Sequence, residues 1–463
     1  MCGIAGIFQL AGHSFSAISP SLEVMGQLIS HRGPDGKGVW KHPKNHVGFA
    51  HRRLSVVDLS EEASQPMTDR LGNWIAFNGE IYNFVELRKE LGEENFKSQS
   101  DTEVILFAYR KWGKECVNHL RGMFAFALWD EKEQTLFCAR DRFGIKPFYY
   151  SVIDGIFYFA SEAKALLPFL PAVETDTKAL AEYLTFQFNS GEQTMFAGVY
   201  QLLPAHMLSV NNGDINIRRY WDVEYEIDYD HTAEYFGDKL RELLDDSIKV
   251  HLRGDVPVGS YVSGGIDSSL MHLLAQKQDP SSLQGFHGRF LEYPGYDESS
   301  YAEKAVAHGK GSLHIADITA KDFAANLQNV VYHLDFPVAG PGSFPQYMVS
   351  KLAASQVKVV LGGQGGDEIF GGYARYVIAY FEQCIKAAIE GTYQDGNYVV
   401  TMESIIQNLG LLREYKPLIK KFWSQGLFES LDRRYFQLVN RSADMEEEID
   451  WNALDMHQVF ENF

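Results

Sequence analysis

The stretch Ser263-Gly264-Gly265-Ile266-Asp267-Ser268-Ser269 directly follows an apolar run, Val256–Val262, and together they indicate the fold of the second half of the chain. A short apolar run before a glycine-rich turn is typical of a buried strand that leads into a helix. Exposed N–H groups at the start of a helix attract anions, and serine hydroxyls add further donors. The loop lacks the lysine of a Walker loop. Its small residues at the start of a helix suit the pyrophosphate that is left when ATP is cleaved to AMP, and we expect Asp267 to bind Mg²⁺ on the phosphates. The plainer alternative is a glycine turn with a serine N-cap.

The second half continues as an alternation of strands and helices. Further strands are predicted at Leu283–Phe290, Leu313–Ile318 and Val357–Leu361. This alternation predicts a doubly wound parallel sheet of the α/β class, in which ligands bind beyond the carboxyl ends of the strands. A second glycine-rich run, Gly362–Tyr373, follows the last predicted strand and indicates tight turns or close approach of the backbone to a ligand. We therefore expect this half to bind ATP and to release pyrophosphate from it.

The first half has a different pattern, with short apolar runs separated by turns and two stretches with helical periodicity. This pattern predicts packed antiparallel sheets with helices, an α+β arrangement. The helices are expected within Leu22–Ile29 and Val104–Trp112, and the strands within Trp74–Phe77, Met123–Trp129, Thr135–Ala139, Phe148–Val152 and Ile156–Ala160. The change of pattern places the domain boundary between residues 195 and 235, which gives a first domain of residues 2–200 and a second of residues 230–463.

The cysteine at position 2 is a candidate nucleophile. A thiol attacks an amide carbonyl as a thiolate and needs a base nearby. If Met1 is removed, the free α-amino group of Cys2 has an ordinary pKa of about 7.7–8.0 and can take that proton itself. Only an amino-terminal cysteine, serine or threonine carries its own base in this way. A cysteine at position 2 is weak support by itself and depends on the residues that would surround it.

Five further positions supply the groups that would bind a free amino acid with a side-chain amide. Asn78 and Gly79 offer a side-chain amide and a backbone N–H for an oxyanion hole. Arg53 offers a planar fork for a carboxylate, while Glu80 and Asp101 offer negative charge for an ammonium group. The set fits glutamine or asparagine as a substrate. Together the two halves predict an enzyme that makes ammonia in one domain and consumes ATP in the other.

Composition excludes several other classes. The 463 residues are 45% hydrophobic and 22% charged, which is typical of a globular protein, and the net charge of −19 argues against a nucleic-acid binder. No apolar run approaches the length that crosses a membrane, and no signal-peptide pattern begins the chain. The four cysteines lack metal-binding spacing, and we expect Cys116, Cys138 and Cys384 to be core thiols in a reducing cytoplasm.

The first half resembles the glutaminase domain of class II glutamine amidotransferases, in the version found in glutamine-hydrolysing asparagine synthetases. The motifs that carry this resemblance are Met1-Cys2-Gly3-Ile4-Ala5-Gly6, His31-Arg32-Gly33-Pro34-Asp35-Gly36, His51-Arg52-Arg53-Leu54-Ser55, Asn78-Gly79-Glu80-Ile81-Tyr82-Asn83 and Gly122-Met123-Phe124-Ala125-Phe126. The resemblance implies a four-layer αββα sandwich of the amino-terminal-nucleophile hydrolases, followed by an ATP-pyrophosphatase-type domain. It also implies that His31 and His51 are structural residues and that Cys2, Asn78 and Gly79 are catalytic.

The resemblance implies ligand-binding roles for particular residues. Glutamine would be bound by Arg53, Leu54, Ser55, Val56, Val57, Asn78, Gly79, Glu80 and Asp101. ATP would be bound by Val262, Ser263, Gly264, Gly265, Asp267, Ser268, Ser269, Gly288, Gly362 and Gly363, with Mg²⁺ on Asp267 and Asp367 and with Gln364 at the step that forms the activated intermediate. Family members are often dimers, so a homodimer is an open expectation.

Two departures from the family pattern keep alternatives open. Gln364 stands where the best-known members carry a glutamate, and an amide cannot act as a base. The family's Arg-Val-Pro-Phe-Leu-Asp segment and the lysine beyond it are not found before Phe463, so the family's last portion is expected to be missing. The leading hypothesis is a glutamine-dependent asparagine synthetase that uses aspartate. The alternatives are an amidotransferase for another carboxylate, such as a sugar acid or peptide, and a bare glutaminase or binding protein.

Overall fold

The computed structural model describes most of the chain. The described residues are 1–10, 17–211, 213–226, 228–280, 283–292, 294–337, 342–390, 394–395, 398–399, 405–406, 409–445, 447–451, 454 and 456–462. Every residue that the sequence singles out for glutamine, ATP or Mg²⁺ lies within these ranges.

The first domain contains two six-stranded antiparallel sheets. One sheet has the order β10-β8-β9-β1-β3-β2 and the other the order β12-β11-β7-β6-β5-β4. The strands are β1 Gly3–Gln9, β2 Gly36–Lys41, β3 Val47–Arg53, β4 Met67–Thr68, β5 Trp74–Ile81, β6 Gly122–Asp130, β7 Thr135–Arg140, β8 Tyr149–Ile153, β9 Ile156–Ala160, β10 Tyr200–Gln201, β11 His206–Asn211 and β12 Asp214–Arg219. All of the strands expected in this half are present.

Helices cover the outer faces of these sheets. The helices of this domain are α1 Ile18–Leu28, α2 Phe84–Leu91, α3 Asp101–Trp112 and α4 Thr177–Phe186. Leu22 and Met25 of α1 pack on the first sheet, while Val104 and Leu106 of α3 pack on the second. A third apolar cluster, which includes Trp129, fills the space between the sheets. The layers are therefore helix, sheet, sheet, helix, which confirms the αββα prediction.

The second domain is built on a parallel sheet with the order β15-β14-β13-β16. Its strands are β13 Val258–Tyr261, β14 Gln284–Arg289, β15 Ser312–Asp317 and β16 Val359–Leu361. The helices around it are α5 Ala233–His251, α6 Ile266–Gln278, α7 Ser299–His308, α8 Ala320–Leu334 and α9 Ser343–Ala353, followed by α10 Gly366–Phe370, α11 Ala374–Glu390, α12 Lys416–Trp423, α13 Leu431–Val439 and α14 Met456–Asn462. A further short hairpin pairs β17 Gln394–Asp395 with β18 Tyr398–Val399.

Helices pack on both faces of the parallel sheet, as the prediction of a doubly wound fold requires. Ile248 of α5 and Ala275 of α6 join one apolar cluster, whereas Val330 of α8 and Val349 of α9 join another. The strand order reverses between β13 and β16, so the loops that leave these two neighbours meet at the switch point of the sheet. That edge is where doubly wound folds bind ligands.

Contacts between the domains include an apolar cluster, in which Phe186 packs with Phe436 and Val459, and several polar pairs. Arg253 pairs with Glu86 at 2.6 Å, and Lys358 pairs with Asp35 at 2.7 Å. The Asp58 N–H donates to the Asp255 carboxylate at 2.7 Å. The second sheet of the first domain includes β11 and β12 and so continues to residue 219, which lies within the range 195–235 predicted to contain the domain boundary. Of the helices that the structure describes, none combines the length and apolar character needed to span a membrane.

Candidate active site

A cavity of about 400 Å³ lies at one end of the first domain. All of the residues predicted to bind or attack glutamine line it. These are Cys2, Arg53, Leu54, Ser55, Val56, Val57, Asn78, Gly79, Glu80 and Asp101. They come from strands β3 and β5, the residue before β1, the loop after β3 and the start of α3, and the fold brings them to one place. Their individual roles toward a ligand stay predictions.

Cys2 lies immediately before β1, a central strand whose residues from Gly3 to Phe8 are buried. Its Sγ lies 3.4 Å from the Leu54 N, and the Leu54 N–H donates to it. Burial raises the pKa of the Cys2 thiol, and the contact with Leu54 opposes that rise. The Arg32 Nε donates to the Cys2 carbonyl oxygen at 2.9 Å and fixes the chain end. The thiol therefore needs a nearby base to become a thiolate at neutral pH.

Asn78 and Gly79 lie on β5, which pairs with β6 along its whole length. The Asn78 side chain is fully buried, yet neither its Nδ2 nor its Oδ1 has a hydrogen-bond partner among the described residues. A buried amide without partners is rare, and both of its polar atoms are available to a ligand in the cavity. A Cβ added to Gly79 would lie 2.2 Å from the Met123 carbonyl oxygen, so only glycine lets the strands approach here. Both groups fit the predicted oxyanion hole.

Glu80 and Asp101 form the acidic side of the cavity. Burial, reinforced by the Asp101 charge, raises the pKa of Glu80 to about 7. Burial likewise raises the pKa of Asp101 to about 6, although the Ile81 N–H donates to its carboxylate at 2.9 Å. Two neighbouring buried carboxylates of this kind are relieved by a bound cation. An amino-acid ammonium group supplies one.

Arg53 ends β3 and lines the same cavity. Its guanidinium donates one N–H to the Ser60 carbonyl oxygen at 2.9 Å and another to the Asp58 carbonyl oxygen. A guanidinium carries five N–H groups, so three remain for a carboxylate. The loop whose carbonyl groups accept from Arg53 also contacts the second domain, because the Asp58 N–H donates to the Asp255 carboxylate.

Lys146 is a residue of this cavity that sequence reasoning missed. It is buried, lines the wall with Cys2 and Glu80, and has its Nζ 3.2 Å from the Met1 Sδ. Burial lowers the pKa of Lys146. The one available sign in the sequence is a lysine within an otherwise apolar turn, Gly144–Tyr149, between two strands.

The two histidines that the sequence makes tempting as bases do not line the cavity. The His51 Nε2 contacts the Phe77 carbonyl oxygen at 3.1 Å, and burial lowers the pKa of His51 to about 3. The His31 Nε2 contacts the Glu162 carboxylate at 2.9 Å. His51 thus stays neutral and links the two sheets, and His31 belongs to a charged network, which agrees with structural roles for both.

The loop after β13 has the expected strand-to-helix geometry. The Ser268 Oγ accepts from the Ser263 N–H at 3.1 Å and lies 2.8 Å from the Ser263 Oγ, which ties the loop to the first turn of α6. Gly264 has φ +97°, and a Cβ there would lie 2.8 Å from the Tyr301 Cβ. Gly265 caps α6 without a side-chain acceptor, so the first N–H groups of the helix are available to an anion.

The second glycine run lies directly against this loop. A Cβ on Gly363 would come within 2.7 Å of the Ser268 N, and one on Gly366 within 2.4 Å of the Asp267 Oδ2. A Cβ on Gly372 would lie 2.0 Å from the Asp367 Oδ1. Glycine at these positions therefore lets two backbones and two carboxylates gather at the switch point of the sheet.

Mg²⁺ and ATP fit this arrangement. Within the described ranges no three His, Cys, Asp or Glu side chains form a cluster that could hold a metal. Asp267 and Asp367 are two carboxylates beside an anion loop, and Mg²⁺ uses one or two carboxylates together with phosphate oxygens. The donor set thus suits a metal that arrives with a nucleotide. The roles of all the residues of the two glycine-rich loops in binding ATP or Mg²⁺, including those of Ser269 and Gly362, stay predictions.

Three other residues were predicted to act at the ATP site, and their contacts in the structure explain in part why these residue types occur there. Val262 is buried in an apolar cluster, and its N–H donates to the Phe286 carbonyl oxygen at 2.9 Å. A Cβ on Gly288 would lie 2.9 Å from Val349, so packing of α9 on β14 explains this glycine. Gln364 is exposed, and its side-chain oxygen lies over Gly362. Contact of these residues with a nucleotide stays a prediction.

The second domain supplies one wall of the cysteine cavity. Tyr261 of β13 and Lys358, Val359 and Val360 at β16 line it. The Lys358 Nζ also contacts the Asp35 carboxylate and the Ser55 carbonyl oxygen. The end of β13 and the first residues of β16, which lead to the two glycine-rich loops, therefore line the same cavity as the candidate nucleophile.

Comparison with known proteins gives a consistent assignment for both halves. The glutamine amidotransferase domain family matches residues 1–221, and the asparagine synthase family matches residues 239–460. Asparagine synthetase (glutamine-hydrolyzing) 1 of Bacillus subtilis is 40% identical over 81% of this chain and 59% of its own length. The protein named putative asparagine synthetase (glutamine-hydrolyzing) 2 of Methanocaldococcus jannaschii is 34% identical over 89% of this chain and 84% of its own length.

A relative with a different name is similar over the same span. Amidase chry2 of Gibberella zeae is 33% identical over 81% of the chain and 59% of its own length. The chain thus spans about three fifths of the length of several curated relatives that it matches. The two domain matches, in this order, and the identity over most of the M. jannaschii protein show that the chain belongs to the glutamine-hydrolysing asparagine synthetase family.

Proposed function

We propose that this protein is a glutamine-dependent amidotransferase that uses ATP to convert a carboxylate to an amide. Aspartate is the first-choice acceptor, which gives asparagine, glutamate, AMP and pyrophosphate. The observation that carries the proposal is the cysteine cavity, where the Cys2 thiol, an amide without partners among the described residues and two carboxylates whose pKa values are raised by burial surround one space. Family membership supports the same reaction.

In the first domain, removal of Met1 would give Cys2 a free α-amino group as its base. The Sγ then attacks the side-chain amide carbon of glutamine, while the Asn78 Nδ2 and the Gly79 N–H donate to the developing oxyanion. Glu80 and Asp101 hold the α-ammonium group, and the free N–H groups of Arg53 hold the α-carboxylate. Ammonia leaves, and water hydrolyses the γ-glutamyl thioester to glutamate.

In the second domain, the acceptor carboxylate would attack the α-phosphorus of ATP, and the loop from Ser263 to Ser269 would hold the departing pyrophosphate. Mg²⁺ on Asp267 and Asp367 would neutralise charge on the phosphates. Ammonia then attacks the activated carbonyl carbon, and AMP leaves. Gln364 lies beside this loop and can orient groups by hydrogen bonds but cannot accept a proton.

A different acceptor is the second candidate. The similarity to amidase chry2 spans the same share of the chain as the similarity to the B. subtilis synthetase. Gln364 in place of the glutamate of the best-known synthetases also leaves the acceptor open. The chemistry of both domains is the same for either acceptor, so the two candidates differ only in which carboxylate stimulates AMP formation.

The test is a mass-spectrometric assay of the full chain, with removal of Met1 checked by intact mass. Glutamine carrying ¹⁵N in its side-chain amide is supplied with aspartate, ATP and Mg²⁺, and glutamate, AMP and ¹⁵N-asparagine are measured together. Equal amounts of the three support the asparagine reaction. Glutamate without AMP would reject aspartate as the acceptor, and no glutamate would reject the glutaminase site.

A Cys2→Ala variant is the matched control for the nucleophile. It should lose glutamine-dependent turnover while retaining any reaction driven by added ammonium, because ammonium does not need the thiol. Survival of glutamine use in this variant would contradict the assignment of Cys2.

A further inference from the structure

The loop of residues 54–60, which follows β3, forms part of the cysteine cavity and also contacts the second domain. Leu54, Ser55, Val56 and Val57 line the cavity, and the loop directly follows Arg53. None of the residues 54–60, all of which the structure describes, belongs to a helix or strand. Loops are more mobile than the elements that they connect, so contacts from outside the loop decide where its residues lie. Some of these contacts come from the second domain.

Asp255 of the second domain binds this loop at two points. Its N–H donates to the Val56 carbonyl oxygen at 2.9 Å, and its carboxylate accepts from the Asp58 N–H at 2.7 Å. The two hydrogen bonds lie on either side of Val57, one of the residues predicted to bind glutamine. A donor and an acceptor from one residue thus fix this short segment much as the paired bonds of a neighbouring strand would.

Asp58 also contacts both sides of the predicted glutamine site. Its carbonyl oxygen accepts from the Arg53 guanidinium, and its carboxylate accepts at 2.7 Å from the N–H of Gln99, two residues before Asp101. Asp58 has φ +54°, a left-handed conformation that costs free energy for a residue other than glycine. Such a conformation persists only where surrounding contacts hold it. Loss of the Asp255 carboxylate should therefore let Asp58 relax and move the acceptor that its carbonyl group gives to Arg53.

Joining the two domains does not by itself require Asp255. Arg253, two residues earlier, pairs with Glu86 of α2 at 2.6 Å, and neither of these residues lines the cavity. Asp255 is exposed and adds no apolar surface to a core. The contact that distinguishes Asp255 from this ion pair is its hold on the 54–60 loop.

We propose that Asp255 is a positioning residue for glutamine, which holds the 54–60 loop of the first domain from the second domain and so completes the glutamine site. The inference rests on the proposed function in taking the cysteine cavity as the glutamine site. Asp255 touches neither the substrate nor the reacting atoms. Cys2, Asn78 and Gly79 lie outside this loop, so the contact sets the affinity for glutamine and leaves the chemical step unchanged.

The first test measures the loop itself. Hydrogen–deuterium exchange, followed by mass spectrometry of peptides that cover residues 54–60, reports how often the loop opens. In Asp255→Ala the Asp58 N–H loses a charged acceptor, and we expect the amides of this loop to exchange about tenfold faster. Asp255→Asn keeps an acceptor oxygen at the same place and should exchange like the unmodified protein. Equal exchange in Asp255→Ala and the unmodified protein would overturn the proposal.

The second test measures glutamate formation from glutamine by the full chain. In Asp255→Ala, KM for glutamine should rise about tenfold, while kcat stays within about twofold of the unmodified value because the nucleophile and the oxyanion hole are unchanged. Asp255→Asn should restore KM. A contact that only stabilises the fold would lower the amount of active enzyme and leave KM unchanged. That result would overturn the proposal even if the loop exchanged faster.

Glu86→Gln is the matched control, because it removes an ion pair between the same two domains and leaves the contacts of the 54–60 loop in place. It should change neither the exchange of this loop nor KM for glutamine. Equal effects in Glu86→Gln and Asp255→Ala would assign them to the domain contact as a whole and overturn the proposal. If the unmodified protein forms no glutamate, the proposed function is rejected, and the exchange measurement still decides whether Asp255 holds the loop.

Discussion

Replacement of Gly79 by alanine tests the geometry of the candidate oxyanion hole. A Cβ at this position would lie 2.2 Å from the Met123 carbonyl oxygen and 2.7 Å from the Phe124 Cα. Ordinary contacts between such atoms are at about 3.5 Å, so β5 and β6 must separate by about 1 Å. Both contacts are backbone atoms of a central strand pair, which cannot swing away as a flexible side chain can.

The expected effect has two parts. Overpacking of this kind reduces the free energy of unfolding by about 1–3 kcal/mol, which urea unfolding followed by tryptophan fluorescence measures. The same movement displaces the Gly79 N–H and the neighbouring Asn78 amide from the oxyanion position. Loss of one such donor lowers kcat by about 10²–10³-fold. The rate of glutamate formation should therefore fall by more than the decrease in the fraction of folded protein can explain.

Gly237→Ala is the control for the glycine-to-alanine change itself. Gly237 lies within α5, and a Cβ there has open space around it. Alanine in a helix interior is favoured over glycine by about 1 kcal/mol, so this variant should be slightly more stable and fully active. The reasoning about β5 and β6 fails if Gly79→Ala forms glutamate within twofold of the unmodified rate and unfolds at the same urea concentration.

Three further predictions concern charge, the anion loop and the carboxyl-terminal helices. Because the pKa of Glu80 is about 7, its carboxylate gains a proton as pH falls from 8 to 6, and kcat/KM for glutamine should fall about tenfold over that range; a flat profile would contradict this. Gly363→Ala places a Cβ 2.7 Å from the Ser268 N and should reduce AMP formation by about 10² while glutamate formation continues, and normal AMP formation would show that the loops do not need this contact. Arg434 donates through Nε to the Glu382 carboxylate at 2.7 Å, and both side chains are buried. Arg434→Met leaves this carboxylate without its cation and should lower the free energy of unfolding by about 3–5 kcal/mol. The double variant with Glu382→Leu should recover part of this loss.

Much of the fold follows from sequence pattern alone, and the strands that were missed have a physical reason. The parallel strands and their helices were predictable because apolar runs alternate with helical periodicity. β1 was not identified, because Gly3-Ile4-Ala5-Gly6 is buried on both faces and lacks alternation. A Cβ on Gly6 would lie 2.3 Å from the Cζ of Phe159, which stands directly opposite on the neighbouring strand β9, so this ring leaves no room for a β-branched residue. Such a strand has no distinctive pattern.

The candidate site was predictable where it depends on backbone geometry. Gly79 and Gly363 are glycine because another backbone lies against them, and that constraint leaves a motif in the sequence. Lys146 was missed because only tertiary structure brings it to the wall of the cavity that contains Cys2. The raised pKa values of Glu80 and Asp101 likewise arise from burial, which residue identity alone does not reveal.

The contribution of the second domain to the cysteine cavity follows from where its strands end. Tyr261 lies two residues before the Ser263 loop, and Val360 lies two residues before Gly362, yet both line the cavity that contains Cys2. A strand is rigid along its axis. The position of a residue on the cavity wall therefore fixes the position of the loop residue that follows it two places later. The packing of β13 and β16 against the cysteine cavity therefore also sets the position of the two glycine-rich loops that follow these strands. We expect substitutions in β13 and β16 to act on both sites.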